Sequence, residues 1–139
     1  MYLFLVFKDF NCGMTKSEKY LVGISALIIA LFSALGFYLI EGAPKIKSLV
    51  ASGHNHMLSF AFGAVLFALV LSKLNVGGGV KKWLSIWMVL TFLGPLALIY
   101  AGFTGNTGML QFTSPLFMGS FVLLWLWLAY AVFSQTSIQ

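Results

Sequence analysis

The sequence contains very few charged residues. Only 8% of its 139 residues are Asp, Glu, Lys or Arg, whereas about a quarter of the residues in a soluble domain are charged. Such a chain cannot cover a folded surface with groups that water solvates, and its mean hydropathy of +0.99 agrees. This scarcity of charge excludes a soluble globular domain and a disordered chain. It predicts one small integral membrane domain.

Cysteine is nearly missing and arginine is wholly missing. Because Cys12 is the only cysteine, it cannot form an intramolecular disulfide or, by itself, a thiolate metal cluster. The basic residues are all lysines, eight in number against three acidic residues. Most of them lie between apolar runs. We therefore interpret the net charge of +5 as orienting the chain in a bilayer and expect no nucleic-acid partner.

Four apolar runs are suited to crossing a bilayer as helices, which takes about 20 residues each. The predicted spans are residues 20–40, 54–71, 83–103 and 109–133. Short connections make consecutive helices antiparallel neighbours. We therefore expect an all-α, four-helix antiparallel transmembrane bundle that forms a single domain over residues 1–139. Residues 1–19 are expected to form an interfacial or cytoplasmic segment.

Local signals predict where these helices begin and bend. Thr15 and Glu18 have the spacing of a capping box, which marks the start of a helix. Gly94-Pro95 should bend the third span, because proline cannot donate to the helical ladder. Pro115 predicts that the regular part of the fourth span begins there. No acidic residue lies within a predicted span, which argues against a proton-coupled transporter.

The distribution of lysines favours one orientation in the membrane. If the N-terminus is cytoplasmic, the cytoplasmic segments carry six lysines and the outer loops carry two. Cytoplasmic loops of membrane proteins are enriched in basic residues. The sequence therefore predicts a multi-pass protein of the cell membrane with both termini cytoplasmic. The six lysines are Lys8, Lys16, Lys19, Lys73, Lys81 and Lys82, and the two are Lys45 and Lys47.

His54 and His56 are the only histidines and the chief candidate ligands. If the segment is helical, for instance capped at Ser52, their side chains diverge by about 200° and cannot hold one ion. If it is extended, both rings lie on one side and would chelate copper or zinc. Two imidazoles leave a four-coordinate site incomplete, so Met57, Glu41, water or another subunit would have to complete it.

Haem is the alternative ligand for these histidines. One histidine suffices as an axial ligand, and the phenylalanines and glycines nearby suit a flat apolar macrocycle. Gly63 lies on the predicted face of His56, which favours His56 as the inward ligand and His54 as an orienting or interfacial group. The sixth position would be open or filled by another chain or a methionine. The methionine candidates are Met88, Met109 and Met118.

The stretch from Gly53 to Leu71 resembles small four-helix membrane proteins related to haem-copper oxidase subunit I. These proteins carry His-x-His, then an aliphatic residue and a glycine. The NnrS family of haem-copper membrane proteins has a similar run. The matching residues here are His54, His56, Leu58 and Gly63, with Trp87, Gly94, Pro95 and Gly119 further along.

The resemblance implies haem b, or alternatively copper, bound by His56 and His54. It implies an accessory or electron-transfer subunit of a respiratory or other redox membrane complex. The catalytic subunit I has further histidines on later helices, and this chain has none, so we expect no enzyme activity from the chain alone. The alternative is a non-catalytic structural subunit without a cofactor. Because four short helices enclose little interior, we expect lipid contacts and a homo-oligomer or other membrane subunits.

Overall fold

The computed structural model describes residues 13–42 and 44–136, and every regular element in these ranges is a helix. The helices are α1 (Lys16–Glu41), α2 (Lys47–Lys73), α3 (Gly78–Leu90), α4 (Leu93–Thr104) and α5 (Leu110–Thr136). Helices α3 and α4 form one span that is interrupted at Thr91 and Phe92. The described ranges thus contain four segments long and apolar enough to cross a membrane. The predicted all-α, four-helix membrane architecture is confirmed.

Helix α2 lies at the centre of the bundle. It packs against α1 on one side and α4 on another, while α5 packs mainly against α4 and α1 also touches α3. One face of α2 supplies much of the core, including Met57, Phe60, Phe67 and Leu71. Large apolar side chains also cover the outside of the bundle. Since water does not solvate such a surface, these side chains indicate contact with lipid.

The end of the bundle where α1 meets α2 and α4 ends is held by two short hydrogen bonds to backbone carbonyls. The N–H of Ile46 donates to the carbonyl of Gly102 at 2.8 Å, and Lys45 Nζ donates to the carbonyl of Thr104 at 3.0 Å. Gly102 permits this approach. A Cβ built there would lie 2.4 Å from Val50 Cγ2 and 2.9 Å from the Val50 backbone nitrogen.

We expect Gly102→Ala to lower the free energy of unfolding by about 1–3 kcal/mol, because the new methyl group meets backbone that cannot move away cheaply. Gly119→Ala is the matched control. A Cβ at Gly119 meets nothing within 4 Å, and alanine is the better helix former. Thermal unfolding in detergent measures both variants. Equal stability of the two would contradict the close packing of α2 on α4.

Several predicted boundaries need correction. Helix α2 begins at Lys47, not near residue 54, and its N-cap is Ile46, not Ser52. Nothing in residues 47–53 breaks a helix, since the stretch lacks proline and its lysine and serines tolerate helical geometry. Pro115 lies inside α5, which begins five residues earlier at Leu110. The regular part of the fourth span therefore does not start at the proline.

Other local predictions are confirmed. Helix α1 begins at Lys16 with a complete capping box, in which Thr15 N donates to Glu18 Oε2 at 2.5 Å and Glu18 N donates to Thr15 Oγ1 at 3.4 Å. The third span is interrupted just before Pro95. Pro95 has no N–H to donate to the carbonyl of Thr91. This carbonyl accepts instead from Gly94 N at 3.1 Å. Residues 1–12, with most of the predicted interfacial segment, lie outside the described residues.

Candidate functional site

The side chain of His54, a residue of α2, lies between α2 and α1. Its Nε2 lies 2.9 Å from the carbonyl oxygen of Phe32 on α1. Because a carbonyl only accepts, this nitrogen carries the proton and donates. Gly36, one turn after Phe32, makes room for the ring, since a Cβ there would lie 2.3 Å from His54 Nε2. The side chain of His54 thus joins two spans where Gly36 lets them pack closely.

His56 lies on the exposed side of α2. Its Nδ1 is 2.8 Å from the carbonyl oxygen of Ser52, one turn earlier, so Nδ1 carries a proton, and in the neutral imidazole this tautomer leaves the lone pair on Nε2. No described residue forms a hydrogen bond with Nε2. The ring meets the edge of Phe60, with centroids 6.3 Å apart. His56 therefore presents an oriented imidazole with one unused nitrogen to the outside of the bundle.

This arrangement overturns the predicted facing of the two histidines. His54, not His56, points between helices, because α1 packs on the His54 side of α2. The space beside Gly63 does not accommodate a cofactor ring, since Phe121 of α5 fills it. A Cβ at Gly63 would lie 2.6 Å from Phe121 Cζ. The spacing of residues on α2 gives the angle between the histidines but not which neighbouring helix covers each face.

The extended segment that a shared metal chelate requires is also absent, because residues 47–73 are continuously helical. Glu41 does not orient an imidazole either. Its carboxylate accepts from Lys47 Nζ at 2.9 Å, and both side chains are more than half exposed. Met57 is buried in the core. Among the described residues, no three His, Cys, Asp or Glu side chains form a cluster suited to a metal ion.

A buried ion pair lies at the opposite end of the bundle and was not foreseen. Glu18 is 0% exposed and Lys81 is 7% exposed, and Lys81 Nζ lies 3.7 Å from Glu18 Oε1. That distance suits an ion pair but is too long for a hydrogen bond, and Lys81 Nζ donates instead to the carbonyl of Ser72 at 3.2 Å. The pair thus ties α1, α2 and α3 together.

Two buried hydroxyls lie in the same part of the bundle. Ser25 is one of them, two turns along α1 from Glu18, and Ser85 is the other, one turn along α3 from Lys81. Within residues 13–42 and 44–136, neither oxygen finds a hydrogen-bond partner. Unpaired buried hydroxyls are uncommon and call for an explanation. The spacing of Lys81 and Ser85, four residues apart on one helical face, is the sequence signal that would have placed them together.

The site therefore has two separate parts. In the first half of α2, His54 joins α1 to α2, while His56 is exposed and its Nε2 forms no hydrogen bond with a described residue. The opposite end of the bundle, where α1 and α3 begin and α2 ends, is the lysine-rich end, with Lys16, Lys19, Lys73, Lys81 and Lys82. There, Glu18 and Lys81 form a buried ion pair. Comparison with known proteins adds no assignment, because no family model, curated protein or solved structure matches the chain. The resemblance of the second span to subunit I-like proteins stays a prediction.

Proposed function

We propose that this chain is an accessory or electron-transfer subunit of a redox membrane complex and that it binds haem b through His56. One observation carries the proposal. The Nδ1–H of His56 is fixed by the carbonyl of Ser52, while the side chain is exposed and no described residue forms a hydrogen bond with Nε2. Histidines that bind metals generally donate their other ring N–H to a carbonyl or carboxylate, which fixes the tautomer and the ring orientation.

The donor set fits haem and does not fit copper held by the histidine pair. A haem iron needs only one imidazole from this chain, and the Nε2 of His56 is available. A copper chelate would need both rings on one side, but His54 Nε2 donates to Phe32 on α1. When bound, haem b supplies one-electron redox chemistry. The contribution of the chain is to hold the imidazole in one tautomer and orientation.

The exposure of His56 supports a site shared with a second membrane chain. Phe62 and Leu66 follow it on α2, and each is 57% exposed. These side chains, on the adjoining exposed face of α2, would offer apolar contacts to a haem held by His56, and a partner chain would provide the rest of its pocket. The proposal therefore includes a complex, either a homo-oligomer or an assembly with other membrane subunits.

The first test is the haem content of the protein extracted with its native lipids, since detergent can strip a shared site. We expect a Soret band and a pyridine haemochrome spectrum of b type that co-purify with the chain. Metal analysis of the same sample distinguishes copper from haem iron. A preparation that retains its partner chains but contains no haem would contradict the proposal.

A non-catalytic structural subunit without a cofactor is the second candidate. The bond from His54 to Phe32 favours it, because it gives one of the two histidines a purely structural use. Under this alternative, His56 is an interfacial side chain satisfied by headgroups or water. The extracted protein would then lack haem, and His56→Ala would leave its assembly with partner chains unchanged.

We further propose that both termini are cytoplasmic, as the lysine distribution predicts. In a Cys12→Ser background, a cysteine replacing Ser48 should react with a membrane-impermeant maleimide added outside intact cells. Asn75→Cys, in the connection between α2 and α3, is the control and should react only after permeabilisation. Both residues are exposed. Labelling in the reverse order would show the opposite orientation.

A further inference from the structure

A groove runs between α1 and α3 from the lysine-rich end toward the middle of the bundle. Its deep part has a volume of about 340 Å³ and apolar walls that include Ile24, Ile86, Val89 and Leu90. A vestibule of about 390 Å³ adjoins it, lined by Thr15, Lys16, Ser17, Tyr20, Gly78 and Lys82. Ser17, Tyr20 and Lys82 line both parts, so the two parts adjoin on the bundle surface.

The vestibule is suited to an anion. Lys16 stacks on the ring of Tyr20, with Nζ 5.8 Å from the centroid, and no described residue forms an ion pair with Lys16 or Lys82. Helix α3 begins beside them with no side-chain cap and no acidic residue in its first turn. The first N–H groups of a helix carry partial positive charge and attract anions.

The start of α3 is also physically accessible. Gly77, Gly78 and Gly79 form its N-cap and first two residues, and a Cβ built at any of them meets nothing within 4 Å. Without side chains, nothing on these residues shields the backbone N–H groups from an approaching phosphate. The nearest acidic side chain among the described residues is Glu18, which is buried and already paired with Lys81.

Ser85 gives an independent indication of a ligand. It is 3% exposed, its hydroxyl has no partner within the described ranges, and it lines the groove. It lies three residues after Lys82, which places it about one helical turn, or roughly 5 Å, deeper. The oxygen is covered by its neighbours in this conformation, and a rotation about the Cα–Cβ bond of Ser85 would bring it to the groove, where a hydrogen-bond acceptor of a ligand would satisfy it.

We infer that this groove binds an anionic glycerophospholipid. Three chemical groups follow one another along the groove in the order in which they occur in such a lipid. Lys16, Lys82 and the start of α3 face the phosphate, the hydroxyl of Ser85 donates to an ester carbonyl, and the apolar walls hold an acyl chain. A free phosphate would leave the deep groove empty, and an acyl chain alone would leave the two lysines without an anion.

The test is native mass spectrometry of the full chain after incubation with phosphatidylglycerol or phosphatidylcholine. We expect selective retention of phosphatidylglycerol. The variant Lys16→Gln/Lys82→Gln should weaken this retention by about tenfold to thirtyfold, since each lysine near an anionic lipid contributes about fivefold or slightly less. The control Lys19→Gln/Lys73→Gln removes the same charge at the same end of the bundle, outside the groove, and should retain the lipid.

A photo-crosslinking amino acid at Ile86, on the groove wall, identifies the occupant in the membrane. We expect an adduct with the mass of an anionic phospholipid. An adduct with residues 1–12, with a second copy of the chain or with another protein would overturn the proposal. Equal weakening of lipid retention by the two double-lysine variants would also overturn it, because it would show general surface attraction in place of a site.

Discussion

Glu18→Ala is expected to lower the free energy of unfolding by about 3–5 kcal/mol. The substitution leaves the Lys81 ammonium, 7% exposed, without its counter-charge, and an uncompensated buried charge is strongly destabilising. It also removes the carboxylate oxygen that accepts from Thr15 N and closes the capping box. Thermal and denaturant unfolding in detergent, followed by circular dichroism, measures the loss.

The other ion pair among the described residues provides the matched control. Lys47 and Glu41 are closer, at 2.9 Å, but both are more than half exposed, so Glu41→Ala should cost less than about 1 kcal/mol. The double variant Glu18→Gln/Lys81→Met removes both charges at the buried site. It should recover much of the stability that Glu18→Ala loses. Similar losses in the Glu18→Ala and Glu41→Ala variants would contradict the burial of the first pair.

His56→Ala is expected to remove essentially all bound haem while leaving stability nearly unchanged. The side chain is exposed, and its bond to Ser52 lies within α2, so the helix packing does not depend on it. His54→Ala should have the opposite effect. It leaves a gap beside Gly36 and removes the bond to Phe32, which should cost about 1–3 kcal/mol, but the folded fraction should keep its haem.

Two measurements on the same preparations distinguish the roles of the two histidines. They are the haem content per folded chain and the unfolding temperature. His54→Gln is a useful third variant, because its amide N–H can replace the imidazole donor toward Phe32 and should restore part of the stability. Loss of haem from His54→Ala with retention in His56→Ala would reverse the assignment. That result would make His54, which points between α1 and α2, the haem ligand.

Features that depend on neighbouring residues in the sequence were predictable. The capping box of Thr15 and Glu18 requires only a spacing of three residues, and the structure contains it. The interruption before Pro95 follows from the missing N–H of proline. The four spans follow from long runs of apolar side chains. In each case the physical cause lies within one or two helical turns of chain.

Features that depend on which helices pack together were not predictable. The capping-box spacing gave Glu18 a local partner but could not reveal that α3 would bring Lys81 within 3.7 Å of it. The His-x-His spacing predicts that the two rings diverge on a helix, but it does not show that α1 covers His54. Four apolar helices present hydrophobic side chains all around, so periodicity does not distinguish the packed face from the lipid face. The ion pair of Glu18 with Lys81, and the choice of which histidine a neighbouring helix covers, are consequences of tertiary packing.

Exogenous imidazole offers the most direct test of the proposal that His56 binds haem. His56→Gly removes the ligand, and free imidazole can then take its place at the haem iron. We predict that haem binding is lost in this variant and restored by millimolar imidazole, with the same Soret maximum as the unmodified protein. A variant that keeps its haem without imidazole, or that never regains it although its helices and partner chains are intact, would contradict the proposal.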